Sequence, residues 1–240
     1  MDRTFEAADL IEVMEEAVHY NRFLIDELVA WSHGAPRLLD FGAGNGRFSR
    51  ALHEQHLSVR AIEPDPELRE RIRSYGIPSH ASLDALGELR FDGIYSINVL
   101  EHIQDDRAIL SAMHEHLEPG GRLLLYVPAF QVLFSANDER VGHVRRYRRP
   151  DLIDSLRATG FRIEDASYVD SIGFVAALWY RWFGDREGRL DPRSVRLYDS
   201  VVFPVSRRLD AVLRGSVGKN LLVRATRPAL AQTGHAPGSG

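Results

Sequence analysis

The chain has 240 residues, 44% of them hydrophobic and 27% charged, and it contains no cysteine. These values exclude a wholly disordered chain, and the missing thiols exclude disulfide staples, thiolate zinc sites and a cysteine nucleophile. The formal net charge is −4, but residues 1–130 carry 12 arginines against 22 acids while residues 131–240 carry 18 basic residues against 12 acids. Such asymmetry marks either an anion-binding face or the solvated surfaces of two parts of one fold.

The start, Met1-Asp2-Arg3-Thr4-Phe5-Glu6, is too polar for a signal peptide. No apolar run approaches the roughly 20 residues of a membrane span. A cytoplasmic location is therefore expected. Helical spacing of Leu10, Val13, Met14, Ala17 and Val18, then Phe23, Leu24, Leu28 and Trp31, predicts one or two helices over 5–31, stopped by Gly34 and Pro36. A strand at 37–41 runs into the glycine turn 42–46, and a helix fits 47–55. Next come a strand at 58–63, a helix at 65–75, a short strand near 78–80, a strand at 91–97 and a helix at 105–117. A strand at 122–127 follows Pro119-Gly120-Gly121. Strands alternating with helices of this length predict an α/β fold, a doubly wound, mostly parallel sheet with helices on both faces. The rhythm then loosens: a helix at 150–159, a strand at 161–169, helices at 171–183 and 194–213, and a last strand at 220–225. The tail from Pro228 is rich in Gly, Pro, Ser and Ala and is expected to be disordered.

Gly42, Gly44 and Gly46 lie where the first strand becomes a helix. Glycines there let the backbone approach a ligand and adopt positive φ, at the carboxyl edge of the sheet where ligands bind. Glu63 ends the second strand, 21 positions after Gly42, where a carboxylate can accept hydrogen bonds from two ribose hydroxyls. Dinucleotide and S-adenosylmethionine (SAM) proteins both use this arrangement. A dinucleotide fingerprint needs a third glycine at position 47, which is Arg47, so the spacing favours SAM.

At these residues the chain resembles the class I SAM-dependent methyltransferases. Leu38-Leu39-Asp40-Phe41-Gly42-Ala43-Gly44-Asn45-Gly46 resembles the family's first motif, and Ala61-Ile62-Glu63-Pro64-Asp65 its second. Residues 91–103, from Phe91 through Asn98-Val99-Leu100-Glu101-His102, are similar to the strand-four block. Leu117-Glu118-Pro119-Gly120-Gly121-Arg122-Leu123 is similar to the block before strand five. The likeness covers residues 18–226 and is strongest to small-molecule members of the type 11 and type 12 kind. It implies a Rossmann-like seven-stranded sheet with the last strand antiparallel. It also implies an N-terminal helical cap at 1–35, a SAM-binding domain at 36–227 and a helical substrate cover at about 171–215.

The resemblance further implies site residues. Asp40, Gly42 and Gly44 should line the methionine and ribose side, Glu63 should hold the ribose hydroxyls, and Pro64 and Asp65 should lie near the adenine. Ser82 and Leu83 should read and pack the adenine, and Asn98 and Val99 should pass beneath the sulfonium; Leu83 and Val99 are equally readable as core. Tyr20 reads either as a ligand of the SAM carboxylate, with Arg22 or Arg47 neutralising it, or as a half-buried tyrosine of an amphipathic helix. The product would be S-adenosylhomocysteine.

Methyl transfer to a hydroxyl or an ammonium needs an aligned nucleophile and a proton acceptor. Two histidines are candidates. His102 follows Glu101 at the carboxyl edge and is readable either as catalytic or as a capping residue. His143 lies in Asp138-Glu139-Arg140-Val141-Gly142-His143-Val144-Arg145-Arg146-Tyr147, the segment expected over the acceptor, where the family resemblance places a base or, in some members, a metal ligand. Glu139 and His143 stand at i, i+4 and would share a helical face; that pair alone is too few ligands, so no metal is expected. Arg145, Arg146 and Tyr147 are candidate substrate contacts, because guanidinium groups grip anions; salt bridging to the acidic half is the alternative. The apolar, aromatic stretch 171–183 reads as a substrate wall, a dimer contact, a membrane-surface helix or a core helix. The expected partner is a small-molecule acceptor and not nucleic acid, the chain being a monomer or a homodimer. Two other readings stay open: a nucleic-acid methyltransferase using the basic half, and a SAM-binding protein without catalysis.

Overall fold

A computed structural model describes residues 13–183, 192–213 and 215–229. The part of the first predicted helix before residue 13 and most of the predicted tail lie outside them. The elements are α1 (Val18–Ser32), β1 (Arg37–Phe41), α2 (Arg47–His53), β2 (Ser58–Ile62), α3 (Pro66–Ser74), β3 (Ser79–His80), β4 (Phe91–Ile97), α4 (Asp106–His116), β5 (Leu117–Pro128) and α5 (Ala136–Arg140). Then follow α6 (Arg149–Ala158), β6 (Arg162–Val169), α7 (Ser171–Phe183), α8 (Pro192–Leu197), α9 (Phe203–Leu213) and β7 (Asn220–Thr226). The strands form one seven-stranded sheet in the order β3-β2-β1-β4-β5-β7-β6. β7 pairs antiparallel with both β5 and β6, and the other pairings are parallel. This is the α/β, Rossmann-like, mostly parallel sheet the sequence predicts. Chain order reverses direction between β1 and β4, so the carboxyl ends of these two strands flank the crevice where a ligand binds.

Alternation along the strands divides the core into two layers. Leu39, Ile94, Leu123 and Leu125 join Leu110 and Met113 of α4 and Leu152 and Leu156 of α6. Leu38, Tyr95, Leu124 and Tyr126 face the other way, onto Leu24, Leu28 and Trp31 of α1 and Leu52 of α2. The glycine inside β4 has a packing reason. A Cβ on Gly93 would stand 2.8 Å from the Trp31 ring and 2.9 Å from Leu38, so its absence lets α1 lie close to the sheet.

Among the described residues, three helices, α7, α8 and α9, lie between β6 and β7. The predicted helix over 194–213 is interrupted: Tyr198–Val202 widens into one π turn, a local change that leaves the apolar spacing nearly unaltered and so gives no sequence signal. The connection is fastened from beneath by polar side chains. Asp199 accepts the backbone N–H groups of His19 and Tyr20 at 2.8 Å each, supplying the cap that Ala17 cannot give to the first turn of α1. Asp210 accepts from the N–H groups of Asp170 and Ser171 at 2.9 Å, and the Ser206 hydroxyl accepts from Ile172 N–H at 2.9 Å. These bonds cap α7 and hold α9 across it.

Candidate functional site

The glycine turn between β1 and α2 is bound to the end of β2: the N–H groups of Gly42 and Ala43 donate to the Ile62 carbonyl at 2.9 and 3.0 Å. Gly42 has φ +80°, and a Cβ there would stand 2.4 Å from a Val99 methyl. Two demands thus converge on glycine at this position, a left-handed backbone and close approach of the β4 edge. Gly42→Ala is expected to lower the melting temperature and to abolish measurable SAM binding. The double variant Gly42→Ala/Val99→Ala should recover only part of the loss, because removing the clash leaves the backbone strain. Wild-type stability and SAM affinity in Gly42→Ala would contradict this account.

Glu63 sits at the carboxyl end of β2, mostly buried, and accepts from Gly44 N–H at 2.7 Å and from Asp65 N–H at 3.0 Å. Burial pushes its carboxyl upward, against the pull of these two backbone donors. Asp65 itself caps α3, accepting from the N–H groups of Glu67 and Leu68 at 2.8 and 3.0 Å. Asp40 is buried under the turn, accepts from the Ser49 hydroxyl at 2.6 Å, and is pushed up to about 7 by burial. Pro64 and Ser82 are exposed beside this crevice, whereas Leu83 belongs to the core with Phe41, Ile62 and Leu100.

Past β4 the chain passes through Asn98, at φ +52°, a backbone conformation asparagine tolerates better than most residues. Its N–H donates to the Tyr126 carbonyl at 2.8 Å, and its side-chain amide lies 3.5 Å from the Tyr20 hydroxyl. The Tyr20 ring packs edge-on against Tyr126 and Phe203, and burial pushes its hydroxyl up to about 12. Tyr20 therefore roofs the Asn98 end of the crevice. The second candidate for the SAM carboxylate, Arg47, is turned instead to the Met14 carbonyl at 3.3 Å and to Glu15 at 3.5 Å.

Beyond Val99, one turn of 3-10 helix at Leu100–His102 meets the loop after α5. The rings of His102 and His143 stand edge to face, 4.6 Å apart. Asp138, with no exposed side-chain surface, receives the Nδ1 side of His143 at 2.7 Å and a two-point contact from Arg146 at 2.8 and 2.9 Å. It also accepts from the N–H and hydroxyl of Ser135. Burial alone would raise its pKa; the His143 and Arg146 hydrogen bonds outweigh that and hold it at about 2. An ionised Asp138 makes Nδ1 the protonated nitrogen, so the lone pair of a neutral His143 lies on Nε2. That nitrogen is 3.7 Å from a Glu101 oxygen. Glu101 is wholly buried, both its carboxyl oxygens lack a hydrogen-bond partner, and burial pushes it up to about 8. His102 is pushed down, first by lost hydration of the ring face packed on the protein and then by the neighbouring His143, although its outer edge stays open to solvent.

Two sequence expectations are corrected here. The partner of His143 is Asp138 and not Glu139: α5 ends at Arg140, so His143 lies past the helix and the i, i+4 relation does not apply. Arg146 and Tyr147 do not reach toward a substrate. Arg146 is spent on Asp138, and the buried Tyr147 hydroxyl bonds Asp106 at 3.0 Å and the Leu100 carbonyl at 3.2 Å. Arg145 pairs with Asp106 at 2.9 Å and keeps about a third of its side chain exposed. Glu101, His102 and His143 each present a ligand atom within 4.8 Å of the others, a group that pairing Glu139 with His143 does not foresee. Asp138 is the functional candidate the sequence reading missed. A signal for Asp138 was present, since Arg146 needs a counter-charge if it is buried.

The methyltransferase domain family matches residues 13–166. Among curated proteins, the chain is 32% identical over 154 residues to a ubiquinone biosynthesis O-methyltransferase of Xylella fastidiosa, covering 55% of this chain and 63% of that protein. A ubiquinone biosynthesis O-methyltransferase of Xanthomonas axonopodis pv. citri is 29% identical over 154 residues, with 55% and 64% covered. The chain thus spans less than two thirds of these relatives. Among solved structures, a SAM-dependent methyltransferase from Archaeoglobus fulgidus aligns with a TM-score of 0.57 at 15% identity, covering 86% of this chain and 94% of that one. An S-adenosylmethionine-dependent methyltransferase from Mesorhizobium loti gives 0.55 at 20% identity, covering 80% and 90%. The cyclase SpnF shares the fold too, with a TM-score of 0.52 at 19% identity over 81% and 76%, so the fold by itself does not fix the reaction.

Proposed function

The chain belongs to the class I SAM-dependent methyltransferase family, and from that premise we propose that it transfers the methyl group of SAM to a hydroxyl oxygen of a small molecule, leaving S-adenosylhomocysteine. The observation that carries this reading is His143, its Nδ1 tied to the ionised Asp138 and its ring against His102 at the end of the Asn98–Val99 floor. SAM supplies a methyl already activated by the positive sulfur. Glu63 holds the ribose hydroxyls, Asn98 and Val99 form the floor beneath the methyl, and Tyr20 closes the crevice above Asn98. His143 Nε2 takes the acceptor's proton as its oxygen attacks the methyl carbon, and the electron pair of the broken carbon–sulfur bond stays on sulfur. The names of the curated relatives support oxygen over nitrogen as acceptor atom.

A second reading is favoured by one observation, the orphaned buried carboxyl of Glu101. A divalent cation would satisfy it, with Glu101, His102 and His143 as ligands, and imidazole with carboxylate suits several such ions. Bound there, a cation would lower the pKa of an acceptor hydroxyl. One experiment tests both readings: SAM turnover with a panel of phenols and catechols, before and after dialysis against a chelator, in wild type and in Glu101→Gln. If His143 acts as a base, O-methylation survives dialysis, and Glu101→Gln retains activity because glutamine mimics the neutral carboxyl that burial favours. Loss on dialysis restored by a divalent ion, with an inactive Glu101→Gln, establishes the metal reading. SAM binding without turnover of any acceptor, or methylation of RNA alone, overturns the proposed function.

A further inference from the structure

The segment 192–213 is inverted relative to an ordinary surface helix. Its buried positions include Asp199, Ser206 and Asp210 beside Phe203, because the two carboxylates and the hydroxyl cap α1 and α7 from beneath. Its outer side carries Leu197, Val201, Val205, Leu209 and Val212, all between 39% and 75% exposed. The spacing of four, four, four and three puts these five on one face through about four helical turns. A stripe of this length on a surface helix is a contact surface, unlike single apolar residues scattered over a surface.

Charge identifies the occupant. The only carboxylates of the segment, Asp199 and Asp210, are buried, while Arg193, Arg196 and Arg208 are exposed, Arg196 being paired with the exposed Glu16 at 3.3 Å. Arg208 stands beside Leu209, on the rim of the stripe. An apolar stripe edged by Arg208 and carrying no exposed acid of its own matches the boundary between acyl chains and anionic headgroups. A second copy of the chain fits less well, since two-fold pairing of the stripe would bring the arginines of both copies together. No described helix is long and apolar enough to cross a membrane, so the contact is peripheral. We propose that the stripe Leu197-Val201-Val205-Leu209-Val212, edged by Arg208, docks this protein on an anionic lipid surface. The sequence expectation of membrane contact falls on 171–183; there only Val175 and Trp179 are strongly exposed among the apolar side chains described, and the longer stripe lies on the next helices.

The proposal does not depend on the acceptor or on catalysis, and its test reads binding alone. The full chain is sedimented with vesicles of phosphatidylcholine, with and without phosphatidylglycerol. Wild type should pellet at least about tenfold more strongly with the anionic vesicles, and this should weaken with salt. The variant Val201→Ser/Val205→Ser/Val212→Ser should lose vesicle binding while keeping its circular dichroism and its SAM affinity, because all three side chains face outward. Arg208→Glu should lose most of the preference for phosphatidylglycerol. Equal sedimentation of wild type and the triple serine variant overturns the proposal, as does absence of binding to anionic vesicles. A wild-type dimer that the triple variant converts to monomer overturns it in favour of self-association.

Discussion

Glu63→Ala is expected to weaken SAM binding by about 10²–10⁴-fold in calorimetry. The carboxylate stands where the proposed function puts two ribose hydroxyls, and each hydrogen bond to a charged group contributes about 1.5–3 kcal/mol. The same oxygens hold Gly44 N–H at 2.7 Å and Asp65 N–H at 3.0 Å, so the substitution also frees the glycine turn. Glu63→Gln separates the two effects. It keeps an acceptor for one backbone donor but loses the charge, and it should fall between wild type and alanine. A melting temperature measured without SAM should move much less than the affinity, because Glu63 lies at the rim of the core. Unchanged SAM affinity in Glu63→Ala, or wild type that binds NAD and not SAM, would remove the assignment of the crevice.

The geometry of the proposed cofactor crevice was legible in the sequence because it depends on local chain geometry. A glycine turn after an apolar strand, and an acid at the end of the next strand, are fixed by the parallel sheet that holds both. The proposed catalytic cluster was less legible because it depends on contacts across the chain. Glu101 and His143 are 42 positions apart and meet only because the Val144 N–H donates to the Glu101 carbonyl at 2.9 Å. The run Arg145-Arg146-Tyr147 looked like an anion clamp, since sequence shows cations without their partners. Folding spends those side chains on Asp106 and Asp138. The inverted helix was hidden for a related reason. An apolar period in 194–213 announces a helix, but which face is buried follows from the two helix ends, those of α1 and α7, that need caps.

His143→Ala is expected to lower kcat by about 10²–10⁴-fold, the range for loss of a positioned general base, with SAM affinity nearly unchanged, since His143 lies on the far side of Val99 from the glycine turn. Loss in kcat and kcat/KM together, rather than in KM, would mark an interaction made in the transition state. Asp138→Asn tests the support beneath it. Asparagine preserves the size of the side chain but removes the charge that fixes the proton on Nδ1 and anchors Arg146, so kcat should fall by about 10–100-fold, the usual cost of losing such an orienting partner. Nitrogen-15 spectra of the histidines supply a readout that packing alone does not move: the Nδ1–H tautomer of His143 should dominate in wild type and lose its dominance in Asp138→Asn. His102→Ala should cost less in kcat, or should disturb SAM binding as well, because the His102 ring packs edge-on against His143 in the single 3-10 turn that follows Val99. A full-rate His143→Ala enzyme would show that neither a base nor a metal ligand is needed at this position. The displacement would then run on alignment alone, with an acceptor that arrives already deprotonated, and Asp138 would serve the loop and not the reaction.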